Sequence, residues 1–195
     1  MDEYLNFLEK LFPSIDPYVA ERVEDSMRQF YRDSADSYSC FYKASFEFLA
    51  QGDIIAKLPF LIVHEDGTVY TERYPAIILS NTCDVENDEY IVASPLFNLS
   101  SFDFNPGRIG SIKKNKTNNL LYFPDKNFEN QFINLNIVNT YKKSSLVSAW
   151  KEKKINRVAS LNQFGYFLFL TKMTVNYMRP ENKEVYENRC SISKG

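Results

Sequence analysis

The sequence predicts an α+β protein, in which a small β-barrel over residues 51–140 lies between an N-terminal helical region and a C-terminal apolar helix. Two observations predict this class. Apolar residues recur at helical spacing before residue 50 and after residue 144, whereas short apolar runs separated by turn sequences fill the middle. The chain has 195 residues, of which 44% are apolar and 25% charged. It is therefore long enough to bury a core without disulfides or metals.

The N-terminal region, residues 1–50, is predicted to hold three helical stretches. Asp16 and Pro17 form a helix start signal, with Asp as N-cap and Pro at the first helical position. An apolar stripe then follows at helical spacing: Val19, Val23, Met27 and Phe30. A further helix is expected over 38–49, and Gly52 is expected to end it.

The central region is predicted to hold the strands of the barrel. Apolar runs lie at 54–63, 76–79, 90–93, 120–123 and 132–138, and Asp66-Gly67 predicts a hairpin turn. A long, basic, polar loop is expected over 98–120. We expect the barrel to bury six residues: Ile54, Leu58, Ile77, Leu79, Ile91 and Val92.

Residues 141–180 are predicted to form the apolar helix that packs on the barrel, with 181–195 as a tail. Phe164 and Leu168 are expected at the interface. The run 167–170 also fits a strand. A helix that is apolar over so much of its surface would pack between elements or against a partner protein or a second copy.

Charge is divided unevenly along the chain. Residues 1–105 carry 19 acidic against 7 basic side chains, and residues 106–195 carry 6 acidic against 16 basic, within a net charge of −2. Either the halves attract each other within one molecule, or a basic face is kept for an anionic partner. No run of 18 apolar residues exists and the N-terminus is acidic, so we expect no membrane span, no secretory signal and a cytoplasmic protein.

The segment 80–84 is the most distinctive candidate site, because functional residues are common where strands end. Cys83 is a candidate nucleophile, with Asp84 beside it and His64, the single histidine, as a candidate base. The alternative is a structural Cys83, with Asn81 and Asp84 capping a turn. Asp53, Asp84 and Glu86 are candidate carboxylates for acid–base work or a metal. However, no metal-ligand spacing links them, so no metal and no cofactor is expected.

Basic clusters in the second half are candidate contacts for single-stranded nucleic acid. Aromatic residues, among them Trp150, lie near them in sequence, and such sites pair cations with phosphates and stack bases on rings. Solvated helix and loop surfaces are the alternative. Phosphate-loop, dinucleotide, zinc-protease and serine-hydrolase motifs are lacking. The candidate contacts are Lys113, Lys114, Lys116, Lys151, Lys153, Lys154 and Arg157.

Residues 51–97 resemble the core of the MazF/PemK-type toxins. Gly52-Asp53-Ile54 opens a strand, 73–81 reads Arg-Tyr-Pro-Ala-Ile-Ile-Leu-Ser-Asn, and 90–95 reads Tyr-Ile-Val-Ala-Ser-Pro. The resemblance implies an SH3-like barrel and metal-independent RNA cleavage in a toxin–antitoxin or phage-defence setting. It also implies an arginine beside the proline and a hydroxyl after the Ile-Val-Ala strand. Arg73 and Ser94 are the nearest matches, each displaced from the family's pattern.

Three functions are therefore expected as alternatives. The first is RNA binding or cleavage, in which Arg73 would neutralise charge at the phosphate and Ser94 would position it. The second is a non-catalytic interaction subunit of such a system, which binds a partner or itself through the C-terminal helix. The third is a cysteine-dependent enzyme that uses Cys83.

Overall fold

The computed structural model describes residues 39–43, 47–178, 183–185 and 188. The protein is α+β, with a mostly antiparallel eight-stranded sheet and several helices. The strands are β1 (Phe41–Tyr42), β2 (Asp53–Val63), β3 (Val69–Ile78), β4 (Tyr90–Asn98), β5 (Leu120–Leu121), β6 (Gln131–Asn134), β7 (Asn139–Lys142) and β8 (Arg157–Leu161). The helices are α1 (Thr82–Asn87), α2 (Pro106–Lys113), α3 (Lys143–Lys151) and α4 (Gln163–Met178).

The sheet is not a closed barrel. Its strand order is β1-β8-β2-β3-β4-β6-β5, and β7 pairs with β4 beside this path. The strand β4 changes partner along its length, because 90–93 pair with β7 whereas 96–98 pair with β6. Within the described residues no ladder joins β1 to β5, so the SH3-like closure expected from the sequence is wrong.

A bulge bends β2 near its middle. Ile55 lies opposite Ala76 and Leu58 lies opposite Tyr74, so two residues of β2 face Pro75 alone. Lys57, inside the bulge, has a φ of 63°. Such an insertion bends the strand and strengthens its twist.

The two faces of the sheet bury different cores, as alternation along β3 shows. Ala76 and Ile78 pack into one cluster, with Leu146 of α3 and Val85 of α1. Ile77 packs into the opposite cluster with Phe169 of α4. Five of the six residues expected in the core are buried, and Val92 is half-buried.

The helix α4 packs against one face of the sheet, with Phe164 and Leu168 against the core. Gly165 lies so close to β1 that a Cβ there would overlap the carbonyl oxygen of Cys40. The prediction of one helical stretch over 141–180 is wrong, because strand β8 separates α3 from α4. Strand β8 pairs with β2 along one edge and with β1 along the other, a long-range pairing that helical spacing does not reveal.

The predicted N-terminal helices fall mostly outside the described residues, which begin at 39. Where 38–49 is described, the helix prediction is wrong, because Phe41–Tyr42 is a strand paired with β8. The loop predicted over 98–120 contains α2, which Asn105 caps by accepting a hydrogen bond from the Arg108 N–H. None of the helices in the described part of the chain combines the length and the apolar run needed to cross a bilayer.

Candidate nucleic-acid interface

An open groove of about 960 Å³ lies between α3, α1 and strand β8. Its lining combines apolar residues of the core cluster around α3 with charged residues of the surrounding segments. The lining residues are Lys43, Glu47, Phe48, Leu49, Val85, Glu86, Ile91, Lys143, Val147, Trp150, Lys151, Lys153, Ile155, Asn156, Arg157, Val158 and Ala159.

The groove carries an excess of positive charge. Four lysines and one arginine line it, against two glutamates. Lys151 and Lys153 are exposed, and Lys143 donates a hydrogen bond to the carbonyl oxygen of Glu86 at 2.8 Å. Because the rim is basic and the floor apolar, the groove suits a ligand that is anionic and also presents flat apolar surface.

The end of α3 presents the aromatic and basic residues together. Leu146 buries the inner face of the helix, which leaves Trp150 half-buried and Lys151 exposed. After the helix the chain turns through Lys153, at a φ of 55°, and Ile155 is buried again. Because Ile155 anchors the turn to the core, Lys153 is held at the groove wall.

Arg157 does not project freely from this groove. Its Nη1 lies 3.1 Å from Oδ2 of Asp53 and donates to the carbonyl oxygen of Phe48 at 2.9 Å. Its guanidinium also lies 5.5 Å from the ring centre of Trp150. The side chain is only 10% exposed. This arrangement joins three segments that form the groove.

Asp53 is the buried centre of that arrangement. Its carboxylate also accepts hydrogen bonds from the Ala50 N–H at 2.9 Å and from the Ser160 hydroxyl at 2.5 Å. Gly52 precedes it at a φ of 83°, and a Cβ there would lie 2.7 Å from Cδ1 of Leu161. The sequence predicts a strand start at Gly52-Asp53, and no local pattern predicts the pairing of Asp53 with Arg157.

The basic residues predicted to bind nucleic acid fall into two places. Lys151, Lys153 and Arg157 line the groove, and Lys154 forms an exposed ion pair with Glu152 at 2.5 Å. Lys113 follows Ile112, which packs in a third core cluster with Leu120 and Phe132. Lys113, Lys114 and Lys116 are exposed there and do not line the groove.

The structure does not bring Arg73 and Ser94 together. Ser94 is fully buried opposite Ile77, and its hydroxyl donates to the Asn134 carbonyl oxygen at 3.0 Å. Arg73 is exposed and lies four residues from Ile77, about 13 Å along β3. Its guanidinium donates to the carbonyl oxygen of Lys57 at 3.0 Å.

Cys83 and Asp84 are exposed on α1. Asn81 caps this helix, as expected, by accepting a hydrogen bond from the Cys83 N–H at 2.9 Å. His64 lies beyond the far end of β3, about 30 Å away, and contacts the ring of Tyr70 edge to face. The candidate Cys83–His64 dyad is therefore wrong.

The carboxylates and the C-terminal helix are the remaining candidate sites predicted from the sequence. Among the described residues no three His, Cys, Asp or Glu side chains converge as metal ligands, and Asp53 is committed to Arg157. The end of α4 exposes three large apolar residues, of which Tyr177 donates from its hydroxyl to the Leu135 carbonyl oxygen at 2.5 Å. These residues are Val175, Tyr177 and Met178.

No protein-family model and no curated protein matches the chain. Among solved structures, a MazE-MazF structure from Deinococcus radiodurans (Form-II) is similar at 10% identity, covering 67% of this chain and 96% of that chain with a TM-score of 0.37. A second form of that structure covers 66% and 96%, at 10% identity and a TM-score of 0.31. These structures contain MazF, whose family residues 51–97 resemble. The function proposed below rests on the groove.

Proposed function

We propose that this protein binds single-stranded RNA along the groove beside α3. The observation that carries the proposal is the combination of an aromatic and apolar floor with a lysine rim in one open groove. Bases would stack on Trp150 and Phe48, while phosphates would pair with Lys43, Lys151 and Lys153. Stacking on aromatic rings and pairing with cations are the two interactions on which sequence-tolerant single-strand binding depends.

Both aromatic residues line the groove. Phe48 is 48% exposed, and Trp150 is half-buried against the core, so its ring is fixed on one side. Each stacked base contributes about 1–3 kcal/mol in such proteins. We therefore expect two stacking positions and three lysines to give measurable binding at low salt.

Binding without cleavage fits the geometry better than cleavage by Arg73 and Ser94. Ser94 is buried and already donates its proton to a carbonyl oxygen. Arg73 lies on the face of the sheet opposite to Tyr74, whereas Tyr74 packs in the cluster that underlies the groove. Neither side chain lines the groove.

The biological setting is proposed from the sequence resemblance over 51–97. We propose that the protein acts in a bacterial toxin–antitoxin or phage-defence system. The MazF structures compared above are of complexes with MazE. A protein partner is accordingly part of the proposal.

The test is binding of a labelled, mixed-sequence single-stranded RNA, without added metal, at two salt concentrations. The groove variant carries Lys43→Gln, Lys151→Gln and Lys153→Gln. The matched variant carries Lys113→Gln, Lys114→Gln and Lys116→Gln, so that both lose three charges. Fluorescence anisotropy measures binding, and a gel of the same samples reports cleavage.

We expect the groove variant to lose at least tenfold in affinity and the matched variant to keep most of it. Greater loss in the matched variant would move the site to the loop after α2. Absence of binding by the wild-type protein at low salt would overturn the proposal. If the wild-type protein cleaves the RNA and Arg73→Ala does not, then the toxin mechanism would replace the proposal of binding alone.

A protein-interaction role is the second candidate, and the exposed end of α4 favours it. Val175, Tyr177 and Met178 are 38–56% exposed within the last turn of α4. If this surface binds a second copy, then light scattering should show a dimer that Val175→Asp and Met178→Asp together convert to a monomer. A monomeric wild-type protein would exclude self-association.

A further inference from the structure

We propose that Arg157 is a positioning residue of the groove, held by Asp53, and not a phosphate ligand. The inference rests on the proposed function, since it assigns a role within the same groove. It also reverses the prediction from the sequence, in which Arg157 was one of the basic contacts. The role follows from which groups its guanidinium contacts.

The guanidinium is neutralised before any ligand arrives. Asp53 is 1% exposed and lies 3.1 Å from Nη1 of Arg157. A buried carboxylate with this partner needs the positive charge, because an unpaired buried charge is strongly unfavourable. A phosphate would have to compete with Asp53 for a side chain that is itself only 10% exposed.

The same guanidinium holds two walls of the groove. It donates to the carbonyl oxygen of Phe48, which fixes the segment carrying that ring. It also lies 5.5 Å from the centre of the Trp150 ring, within range of a cation–π contact. Arg157 therefore sets the separation between the two aromatic rings on which bases would stack.

Asp53 is in turn fixed by its own partners. The Ser160 hydroxyl and the Ala50 N–H both donate to its carboxylate, from strand β8 and from the turn before β2. The carboxylate consequently cannot follow the arginine if the latter is drawn toward a ligand. Positioning, and not charge supply, is the role this geometry supports.

A phosphate ligand and a positioning residue differ in their effect on salt dependence. Removing a cation that pairs with phosphate makes the negative slope of log affinity against log salt shallower by about 0.7 for a single strand. Removing a residue that only fixes the stacking rings weakens binding at every salt concentration and leaves the slope unchanged. Trp150 is the single tryptophan, so its fluorescence reports on the groove without interference.

The experiment compares Arg157→Gln with Lys151→Gln, since each variant removes one positive charge. RNA affinity is measured at four salt concentrations, and acrylamide quenching of Trp150 is measured in the free proteins. We expect Arg157→Gln to bind about tenfold more weakly with an unchanged slope and to show greater quenching. Lys151→Gln should make the slope shallower by about 0.7 and leave the quenching unchanged.

Two further variants keep the test valid if Arg157→Gln unfolds. Arg157→Lys retains the charge but loses the planar contacts, and Asp53→Asn retains the shape but loses the counter-charge. Both should raise the quenching of Trp150 and weaken RNA binding. A slope for Arg157→Gln reduced like that of Lys151→Gln, or unchanged quenching in all three variants, would overturn the inference alone. Failure of the wild-type protein to bind RNA would overturn the proposed function together with it.

Discussion

The guanidinium of Arg73 donates a hydrogen bond to the carbonyl oxygen of Lys57 at 3.0 Å, across the bulge of β2. Lys57 is in the left-handed region, where a side chain other than glycine is disfavoured. The hydrogen bond gives the Lys57 carbonyl oxygen a partner at the bulge, where the regular ladder between β2 and β3 is interrupted. Arg73 thus has a backbone partner within the sheet, whereas the sequence predicts a catalytic role for it.

Replacing Arg73 should therefore affect stability slightly and RNA binding little. We expect Arg73→Ala to lower the free energy of unfolding by about 0.5–1 kcal/mol, the net value of one exposed hydrogen bond. Urea denaturation measures the change, and Arg108→Ala on the exposed side of α2 is the control. A large loss of RNA binding or cleavage in Arg73→Ala would restore the catalytic assignment.

Ser94 is expected to be structural as well. In Ser94→Ala the carbonyl oxygen of Asn134 loses its hydroxyl donor but keeps the Ile137 N–H. The loss of one hydrogen bond costs about 0.5–1.5 kcal/mol, so the midpoint of urea denaturation should fall. The matched control Ser145→Ala, on the exposed surface of α3, should change stability by less than about 0.5 kcal/mol. Equal stability of the two variants would contradict the burial of Ser94.

Gly165 is expected to tolerate no side chain. A Cβ at this position would overlap the Cys40 carbonyl oxygen, so Gly165→Ala should force α4 away from β1 and destabilise the protein by about 1–3 kcal/mol. Gly110 in α2 has open space around its Cα, and Gly110→Ala should be neutral or stabilising because alanine favours helices. Thermal unfolding distinguishes the two. A stabilised Gly165→Ala would contradict the packing of α4 on β1.

Lys172 should make stability depend on pH. Its ammonium group is buried in α4 and donates to the carbonyl oxygens of Asn115 and Thr117, and burial lowers its pKa to about 8. Between pH 8 and the unfolded pKa of 10.5, the unfolded chain binds more protons than the folded one. Stability contributed by this group therefore rises with pH across that window.

The measurement is the difference in unfolding free energy between wild type and Lys172→Met, from pH 7 to pH 10.5. The difference isolates Lys172 from buried groups that act in the opposite direction, such as Cys40, whose pKa burial raises to about 12. We expect wild type to gain relative to the variant as pH rises. A flat difference would mean that the lysine titrates at its ordinary pKa.

Local signals in the sequence predict most of the strands and the cap at Asn81. The apolar runs at 54–63 and 90–93 lie in β2 and β4, and Asn81 caps as expected. The Asn105-Pro106 pair carries the same start signal as Asp16-Pro17, yet the polar composition of 98–120 favoured a loop. That helix was predictable from its cap.

Long-range pairing was not predictable in the same way. Strand β8 resembles part of a helix in spacing, and it becomes a strand because β2 and β1 pair with it on either side. Asp53 and Arg157 are 104 residues apart, so no local pattern joins them. The composition near Trp150 did predict a basic and aromatic surface, which the groove contains.

Titration of the unlabelled protein with single-stranded RNA, followed by Trp150 fluorescence at low salt, shows whether RNA binds in the groove beside α3. Because Trp150 lies in the groove, stacking of a base on it should quench its emission. The dissociation constant from this quenching should equal the one measured by anisotropy. Added salt should reverse the quenching, and the groove lysine variant should not show it. RNA binding that leaves Trp150 emission unchanged would place the RNA elsewhere on the protein and overturn the proposed site.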